Sequence, residues 1–324
     1  MSQTDSGTVR KAKQPAGRLR LTESDMGDPS LIIGAATGTP AVHVHVNPLY
    51  ALYHYLIREG QRPREERDSV VAEAARGASQ ARRLTGVHGV WDVWEQRVAR
   101  AGTADEAVAG LMEAMTGTIA ELGSALRAAE SEFRQRLWPE RQVTIRAALT
   151  TIQDLLQPSF VSMARRQAAV LDLVWPQRID VYLVTDCYDW QGGYSHPLTI
   201  DVTTHGGVTL CETLLHEATH VADVYTGEVG RESFRTRLMA TLIEDGIPPP
   251  HAWNAWHAVI FAASGHHIRA FIEPVHTDYA EAYNLYRWLK VPDLPELWGE
   301  WMAGMMDERD FLRVAADRVR SNLD

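Results

Sequence analysis

Residues 214–223 read L-L-H-E-A-T-H-V-A-D, and the interpretation of the rest of the chain depends on this stretch. Its apolar residues recur at helical spacing, which predicts a helix ending at Gly227, a residue typical of helix C-termini. Residues four apart on a helix project from the same face. His216 and His220 are therefore predicted to present two imidazoles to one point, with Glu217 about 100° around the helix from His216.

This H-E-x-x-H pattern is typical of a zinc site. Two histidines one turn apart can bind one tetrahedral Zn²⁺, and the intervening glutamate can take a proton from water that the metal activates. The simpler interpretation is two core histidines bonded to carboxylates. It is less favoured, because three polar side chains in the middle of an apolar helix are costly without a role. We therefore expect His216 and His220 to bind zinc and Glu217 to act as general base.

The order of strand, H-E-x-x-H helix and further helices resembles the zincin metallopeptidases. Residues 216–227 are similar to the active helix of the thermolysin-like enzymes, the gluzincin type, and the resemblance covers roughly the last half of the chain. In that group, an edge strand before the active helix binds the substrate in extended form, and residues 193–203 stand in that place. The resemblance implies a zinc metallopeptidase or related amide hydrolase acting on a peptide or small amide.

The third metal ligand does not follow the known subgroups. A metzincin needs Gly and His three and six residues after the second histidine, where this chain has Asp223 and Thr226, and the thermolysin-like N-E-x-x-[SD] motif is missing. The preferred third ligand is His257, in the apolar segment W-H-A-V-I-F, which is similar to a segment of uncharacterised bacterial zincin-like proteins. Three histidines and a water form a recognised catalytic zinc set. The acidic alternatives are Asp278, Glu281 and, less favoured, Glu273.

Two supporting roles are considered, the first from the resemblance and the second from the position of Asp223 three residues after His220. Zincins commonly use a tyrosine or histidine to stabilise the oxyanion, and Tyr279 is preferred here over Tyr283 and His267. Asp223 either accepts a hydrogen bond from a ligand imidazole or is an exposed helix carboxylate.

A second histidine pair lies near the N-terminus. His43 and His45 alternate with valines on a predicted strand, and in amidohydrolase barrels such a pair opens a metal site. Most of the chain up to Trp175 is predicted to be helical, without the repeated strand–helix units that a barrel requires. The better interpretation is a half-exposed strand with two polar positions, although the pair could lie near the zinc cleft.

The fold predicted from these patterns is α+β and predominantly helical, with a small twisted sheet, the zinc-binding helix beside it and a helical N-terminal half. Residues 1–28 are expected to be a disordered tail, 29–175 a helical region and 176–324 the metal-binding region, although strands at 31–46 could join the later ones in one sheet and fuse the two. The predicted strands are 31–38, 41–46, 178–185 and 198–203. The later helices are predicted at 209–225, 231–245, 251–263, 277–290 and 293–307.

Composition narrows the partners and the compartment. The formal charge of −10 disfavours nucleic acid and anionic membranes, because both need a basic surface. The first apolar stretch, residues 31–33, is too short for a secretory or membrane-spanning segment, and only two cysteines occur, so we expect a cytoplasmic protein. Two other functions stay open: an iron-dependent tailoring or redox enzyme on the same ligands, and a catalytically silent zincin-like scaffold.

Overall fold

The computed structural model describes residues 30–34, 36–62, 71–84, 88–109, 118–187 and 192–323. The predicted tail, residues 1–28, lies outside the described residues. The prediction of an α+β, mostly helical fold is confirmed, since 66% of the structure is helical around a small five-stranded mixed sheet.

The sheet combines strands from both ends of the chain. Its order is β1-β2-β3-β5-β4, with β2, β3 and β5 parallel and the outer strands β1 and β4 antiparallel to their neighbours. The two N-terminal strands therefore belong to the same sheet as the three later ones. The strands are β1 (Ser30–Gly34), β2 (Ala41–His45), β3 (Arg178–Val184), β4 (Gly193–Ser195) and β5 (Leu198–Asp201).

The predicted edge segment, residues 193–203, is a hairpin rather than one strand. Tyr194 pairs with Thr199 across it, and the chain turns at His196-Pro197. Of the two strands of this hairpin, β4 lies at an edge of the sheet, while β5 lies inside it and every residue of β5 is buried.

The N-terminal helices pack against this sheet and against each other. Helix α1 begins after Asn47, whose side chain accepts hydrogen bonds from the backbone amides of Leu49 and Tyr50, and Pro48 occupies the first turn, where no amide proton is needed. Helices α5 and α6 are joined by a π-helical turn, Phe133–Leu137. The helices are α1 (Pro48–Gln61), α2 (Ala72–Leu84), α3 (His88–Arg100), α4 (Ala104–Val108), α5 (Thr118–Glu132), α6 (Trp138–Thr151) and α7 (Phe160–Leu171).

The C-terminal helices include the two that carry the site. Helix α8 packs against β4 and β5, and α10 packs against α8, α9 and α13. These helices are α8 (Gly207–Glu228), α9 (Phe234–Glu244), α10 (Pro249–Phe271), α11 (Tyr279–Ala282), α12 (Leu285–Trp288), α13 (Leu294–Met302) and α14 (Glu308–Ser321). Within the described part of the chain, no helix combines the length and hydropathy needed to cross a membrane.

Several predicted helix lengths were wrong. The helix predicted over 293–307, for example, ends at Met302. Helix α10 continues eight residues beyond the predicted end at 263 and includes Gly265. A glycine is required at this position because Asp278 packs so closely against it that an added Cβ would lie 2.4 Å from the Asp278 Cβ. The helix predicted over 277–290 is instead two short helices. Asn284 separates them with a left-handed backbone, φ 57°.

Candidate metal centre

Two helices bring three histidines to one point. His216 and His220 lie one turn apart on α8, and His257 lies on α10, which packs against α8. One ring nitrogen of each residue lies within 4.8 Å of the other two, and Nε2 of His216 is 3.0 Å from Nε2 of His257. Among the described residues, this is the one group of three metal-ligating side chains at such distances. We refer to these three residues as the histidine triad.

Burial keeps the triad uncharged. The pKa values of His216 and His220 lie well below 6.5, first because burial disfavours the imidazolium and then because the neighbouring histidines would repel it. Burial also lowers the pKa of His257, to about 4. Neutral imidazole is the form that binds metals, because its unprotonated nitrogen offers a lone pair. At neutral pH the triad is therefore ready to bind a metal without releasing protons.

One nitrogen–nitrogen distance in the triad is close to the distance expected around a tetrahedral zinc ion. Two nitrogens bound to zinc at about 2.05 Å lie about 3.3 Å apart, so the 3.0 Å between Nε2 of His216 and of His257 requires only a small adjustment. One feature departs from the usual pattern. The buried Nδ1 of His216 has no hydrogen-bond partner among the described residues, whereas the second nitrogen of a metal ligand is normally bonded.

Glu217 is buried beside the triad and held by the edge strand. The hydroxyl of Ser195, the last residue of β4, donates a hydrogen bond of 2.6 Å to Oε2 of Glu217. Gly193 allows β4 to lie close to β5, since a Cβ there would lie 3.1 Å from the carbonyl oxygen of Thr199, and the same Cβ would lie 3.8 Å from Cγ of Glu217. The strand and the carboxylate are therefore in direct contact.

Two cavities share His257 and Glu217 as walls. The apolar cavity has a volume of about 60 Å³, enough for several water molecules or a small side chain. Its remaining lining residues are His205, Thr213, His216, Phe261, Tyr279, Leu285, Trp288 and Leu289. The strand cleft is larger, about 260 Å³, and is bordered by all three residues of β4. Its remaining lining residues are His196, His220, Asp223, Val224 and Trp253.

The acidic alternatives for the third ligand lie elsewhere. Asp278 is buried, but its carboxylate caps α11 by accepting a hydrogen bond of 2.9 Å from the amide of Glu281, and it pairs with Arg269 at 3.4 Å. The side chains of Glu281 and Glu273 are exposed. None of these three carboxylates belongs to the group that contains His257.

Tyr279 lies at the wall of the apolar cavity. Its ring contacts His205 edge-on, with the centroids 4.9 Å apart, and lies 5.8 Å from the ring of Phe261. Its backbone amide donates a hydrogen bond of 3.0 Å to the buried carboxylate of Glu212, one turn before His216 on α8. Burial raises the pKa of Tyr279, so its hydroxyl stays protonated at neutral pH.

The alternatives to Tyr279 are placed differently. Tyr283 is 59% exposed, and its ring rests on that of Tyr279 with the centroids 4.6 Å apart. His267 is buried, its pKa is lowered to about 3 by burial, and it lines neither cavity. Asp223 is buried rather than exposed, and its carboxylate accepts a hydrogen bond of 2.6 Å from Ser233 and pairs with Arg235 at 2.7 Å.

The other histidine pair takes no part in the triad. His45 contacts Asp180 at 2.6 Å, and Arg178 binds the same carboxylate oxygen at 2.6 Å. Together with Tyr182, they line a third cavity that contains no residue of the triad.

Several residues at the site escaped the sequence analysis. Ser195 lies in the segment already associated with substrate, so its polar side chain was a usable signal. His205 and Phe261 line the apolar cavity and Trp253 the strand cleft. Their sequence environment does not distinguish them from other helix-end or core residues, so only the fold reveals them.

Comparison with known proteins gives no match. No protein-family model, no curated protein and no solved structure is similar to this chain. The resemblance to zincins therefore rests on the H-E-x-x-H motif, and the candidate site rests on its own geometry.

Proposed function

We propose that this protein is a zinc-dependent hydrolase, a metallopeptidase or related amide hydrolase, with His216, His220 and His257 as ligands. The observation that carries this proposal is the buried carboxylate of Glu217, which lines one cavity with His216 and His257 and a second cavity with His220 and His257. A metal-holding set next to a base and open space is the arrangement that metal-assisted hydrolysis requires.

In the proposed reaction, the metal and the side chains of Glu217, Ser195 and Tyr279 each have a separate chemical role. A zinc ion held by the triad would supply a Lewis acid and lower the pKa of water towards roughly 7. Glu217 accepts the proton of the attacking water and returns it to the leaving amine. The hydrogen bond from Ser195 orients the Glu217 carboxylate for this transfer. The protonated hydroxyl of Tyr279 donates to the oxyanion that develops on the substrate.

The two cavities suggest where a substrate lies. The apolar cavity suits an uncharged side group, because Phe261, Leu285 and Leu289 form much of its wall. In the strand cleft, the free edge of β4 can pair with an extended peptide. Among the described residues that line these cavities there is no lysine or arginine, which disfavours an acidic substrate.

The proposal also includes a cytoplasmic location and a function without nucleic acid or anionic membranes as partners. Only two cysteines occur in the chain, and neither lies in a C-x-x-C pattern, which supports a reducing compartment such as the cytoplasm. The charge of −10 supports a role without nucleic acid or anionic membranes as partners.

The test is cleavage of a peptide mixture, followed by mass spectrometry, with the metal-free protein, the zinc-loaded protein and zinc-loaded Glu217→Gln. Zinc should produce discrete cleavages. Glu217→Gln should reduce their rate by about 10²–10⁴-fold, the usual worth of a general base, while zinc affinity is retained. Equal rates in wild type and Glu217→Gln would contradict the assignment of the base. Retention of iron in place of zinc after purification would favour the redox alternative.

A further inference from the structure

The β4–β5 hairpin is tied to the N-terminal helices by a buried polar network. The hydroxyl of Tyr194, in the middle of β4, lies 2.8 Å from the hydroxyl of Tyr50, 3.2 Å from Nε2 of His54 and 3.2 Å from Oε2 of Glu95. Tyr53 donates to the other oxygen of Glu95 at 2.8 Å. Except for Tyr194, which is half-buried, these side chains are at most 2% exposed. We refer to these five residues as the tyrosine network.

The network reaches the second strand of the hairpin as well. The hydroxyl of Tyr50 lies 2.8 Å from that of Thr199 on β5, which also lies 2.9 Å from the carbonyl oxygen of Pro197 in the turn. Tyr194 donates to Oε2 of Glu95, and Thr199 donates to the carbonyl oxygen of Pro197. The hydroxyl of Tyr50 lies between these two hydroxyl groups and donates its single proton to one of them. A line of three hydroxyl groups in close contact therefore connects the buried carboxylate of Glu95 on α3 to both strands of the hairpin.

The opposite face of β4 touches the candidate catalytic carboxylate. Neighbouring residues of a strand point to opposite faces, so Tyr194 reaches the N-terminal helices while Ser195 reaches Glu217 on α8. An edge strand of three residues is bonded to the sheet on one side only. Side-chain contacts must therefore supply much of its fixation.

We propose that Tyr194 is a positioning residue, whose hydroxyl anchors β4 to α1 and α3 and thereby holds Ser195 against the carboxylate of Glu217. This assigns the N-terminal half a role in the site, and it rests on the proposed function in that Glu217 is taken as the base. The anchoring itself does not depend on a bound metal.

The first part of the test is hydrogen–deuterium exchange on the metal-free protein, with Tyr194→Phe compared with Tyr286→Phe. Tyr286 is a buried tyrosine of α12 outside the network, so it controls for the loss of a buried hydroxyl. Tyr194→Phe should speed amide exchange in residues 193–201 by roughly two- to tenfold, the equivalent of one hydrogen bond, with α8 unchanged. Unchanged exchange in the hairpin, or the same increase in Tyr286→Phe, would overturn the anchoring.

The second part uses acetohydroxamate, a small chelator that loses a proton on binding, so that a well-placed carboxylate strengthens its binding. Its affinity for the zinc-loaded protein should fall roughly two- to tenfold in both Tyr194→Phe and Ser195→Ala. If Tyr194 acts through Ser195, the double variant should be no weaker than Ser195→Ala alone. Additive losses, or wild-type affinity in Tyr194→Phe, would overturn the positioning role.

The two parts separate the two claims. If the wild-type protein binds no zinc, the proposed function fails, and with it the positioning of a catalytic base. The exchange measurement would still decide whether Tyr194 anchors the strand.

Discussion

Two pairs of histidines in this protein are spaced so that both side chains lie on one face of a helix or strand, and only one of these pairs gathers a third donor. His216 and His220 on α8 have ring centroids 5.0 Å apart, and His257 lies 5.0 and 5.1 Å from them. His43 and His45 on β2 lie 6.3 Å apart. Both pairs have a spacing that places them on one face of their element, so spacing alone does not separate them.

The difference lies in what the fold brings to each pair. Around His45, the fold supplies Asp180, which binds one imidazole nitrogen, and Arg178, whose positive charge balances that of the Asp180 carboxylate. At α8, it supplies another imidazole and apolar walls such as Phe261, whose ring stacks on His216 with the centroids 4.0 Å apart. Two histidines with the spacing of metal ligands form a candidate metal site here where a helix distant in sequence adds a third imidazole. Where the neighbouring strand adds a charged pair instead, they do not.

The largest expected effect separates the two pairs by metal affinity. His220→Ala should weaken zinc binding by at least about 100-fold, because even the outer partners of metal ligands are worth 10–100-fold. His43→Ala is the matched control and should leave the affinity within about twofold. The measurement is a competition titration against a chromogenic chelator. Equal losses in the two variants would remove the distinction drawn above.

The pH dependence of zinc affinity sharpens the comparison further. A histidine with the ordinary pKa of 6.5 is mostly protonated at pH 5.5, so each such ligand would cost about tenfold in affinity at that pH. The pKa values of the triad are lowered, to about 4 for His257 and well below 6.5 for His216 and His220. The triad is thus neutral at both pH 7.5 and pH 5.5, and affinity should fall only as the pH drops further towards these lowered values.

The corresponding experiment measures the dissociation constant at half-unit steps from pH 7.5 to pH 5.5. We expect a change of less than about threefold over this range, against about a thousandfold for three ordinary histidines. A steep loss beginning near pH 6.5 would show that the rings are protonated as easily as exposed ones, contrary to the burial described here.

The smallest effect is expected at β2. His45→Asn removes the contact with Asp180, but Arg178 still pairs with that carboxylate, and the side chains of His45 and Asp180 are 30% and 27% exposed. The free energy of unfolding, measured in urea, should fall by no more than about 1 kcal/mol. A larger loss, or a loss of zinc, would mean that the β2 pair has a role beyond a half-exposed strand.

The parts of the site that depend on neighbouring residues of one helix could be predicted from the sequence. The relation of His216, Glu217 and His220 follows from helix geometry alone. The choice of His257 needed its apolar surroundings as well, since the crossing of α8 and α10 cannot be read from periodicity. The extent of α10 was misjudged, because the reason for Gly265 is the packing of Asp278, which is not a local property.

The contacts that hold the edge strand could not be predicted from the sequence either, because they join residues that are far apart in the chain. Tyr194 and Glu95 are 99 positions apart, and Tyr194 and Tyr50 are 144 apart. Neither helix α1 nor α3 carries a motif that would indicate such a contact. The predicted fold class was nevertheless confirmed, because strand and helix patterns depend on local periodicity.

The central claim is that three histidines from two helices hold one metal ion, and its most direct test is the metal content of natively purified protein. Elemental analysis should compare wild type with His257→Ala, because His257 is the ligand that the H-E-x-x-H motif does not contain. The account predicts one zinc ion per wild-type chain and a clear loss in His257→Ala, with the fold retained by circular dichroism. A wild-type protein that stays free of metal after zinc loading, or a His257→Ala protein that keeps its full complement, would contradict it.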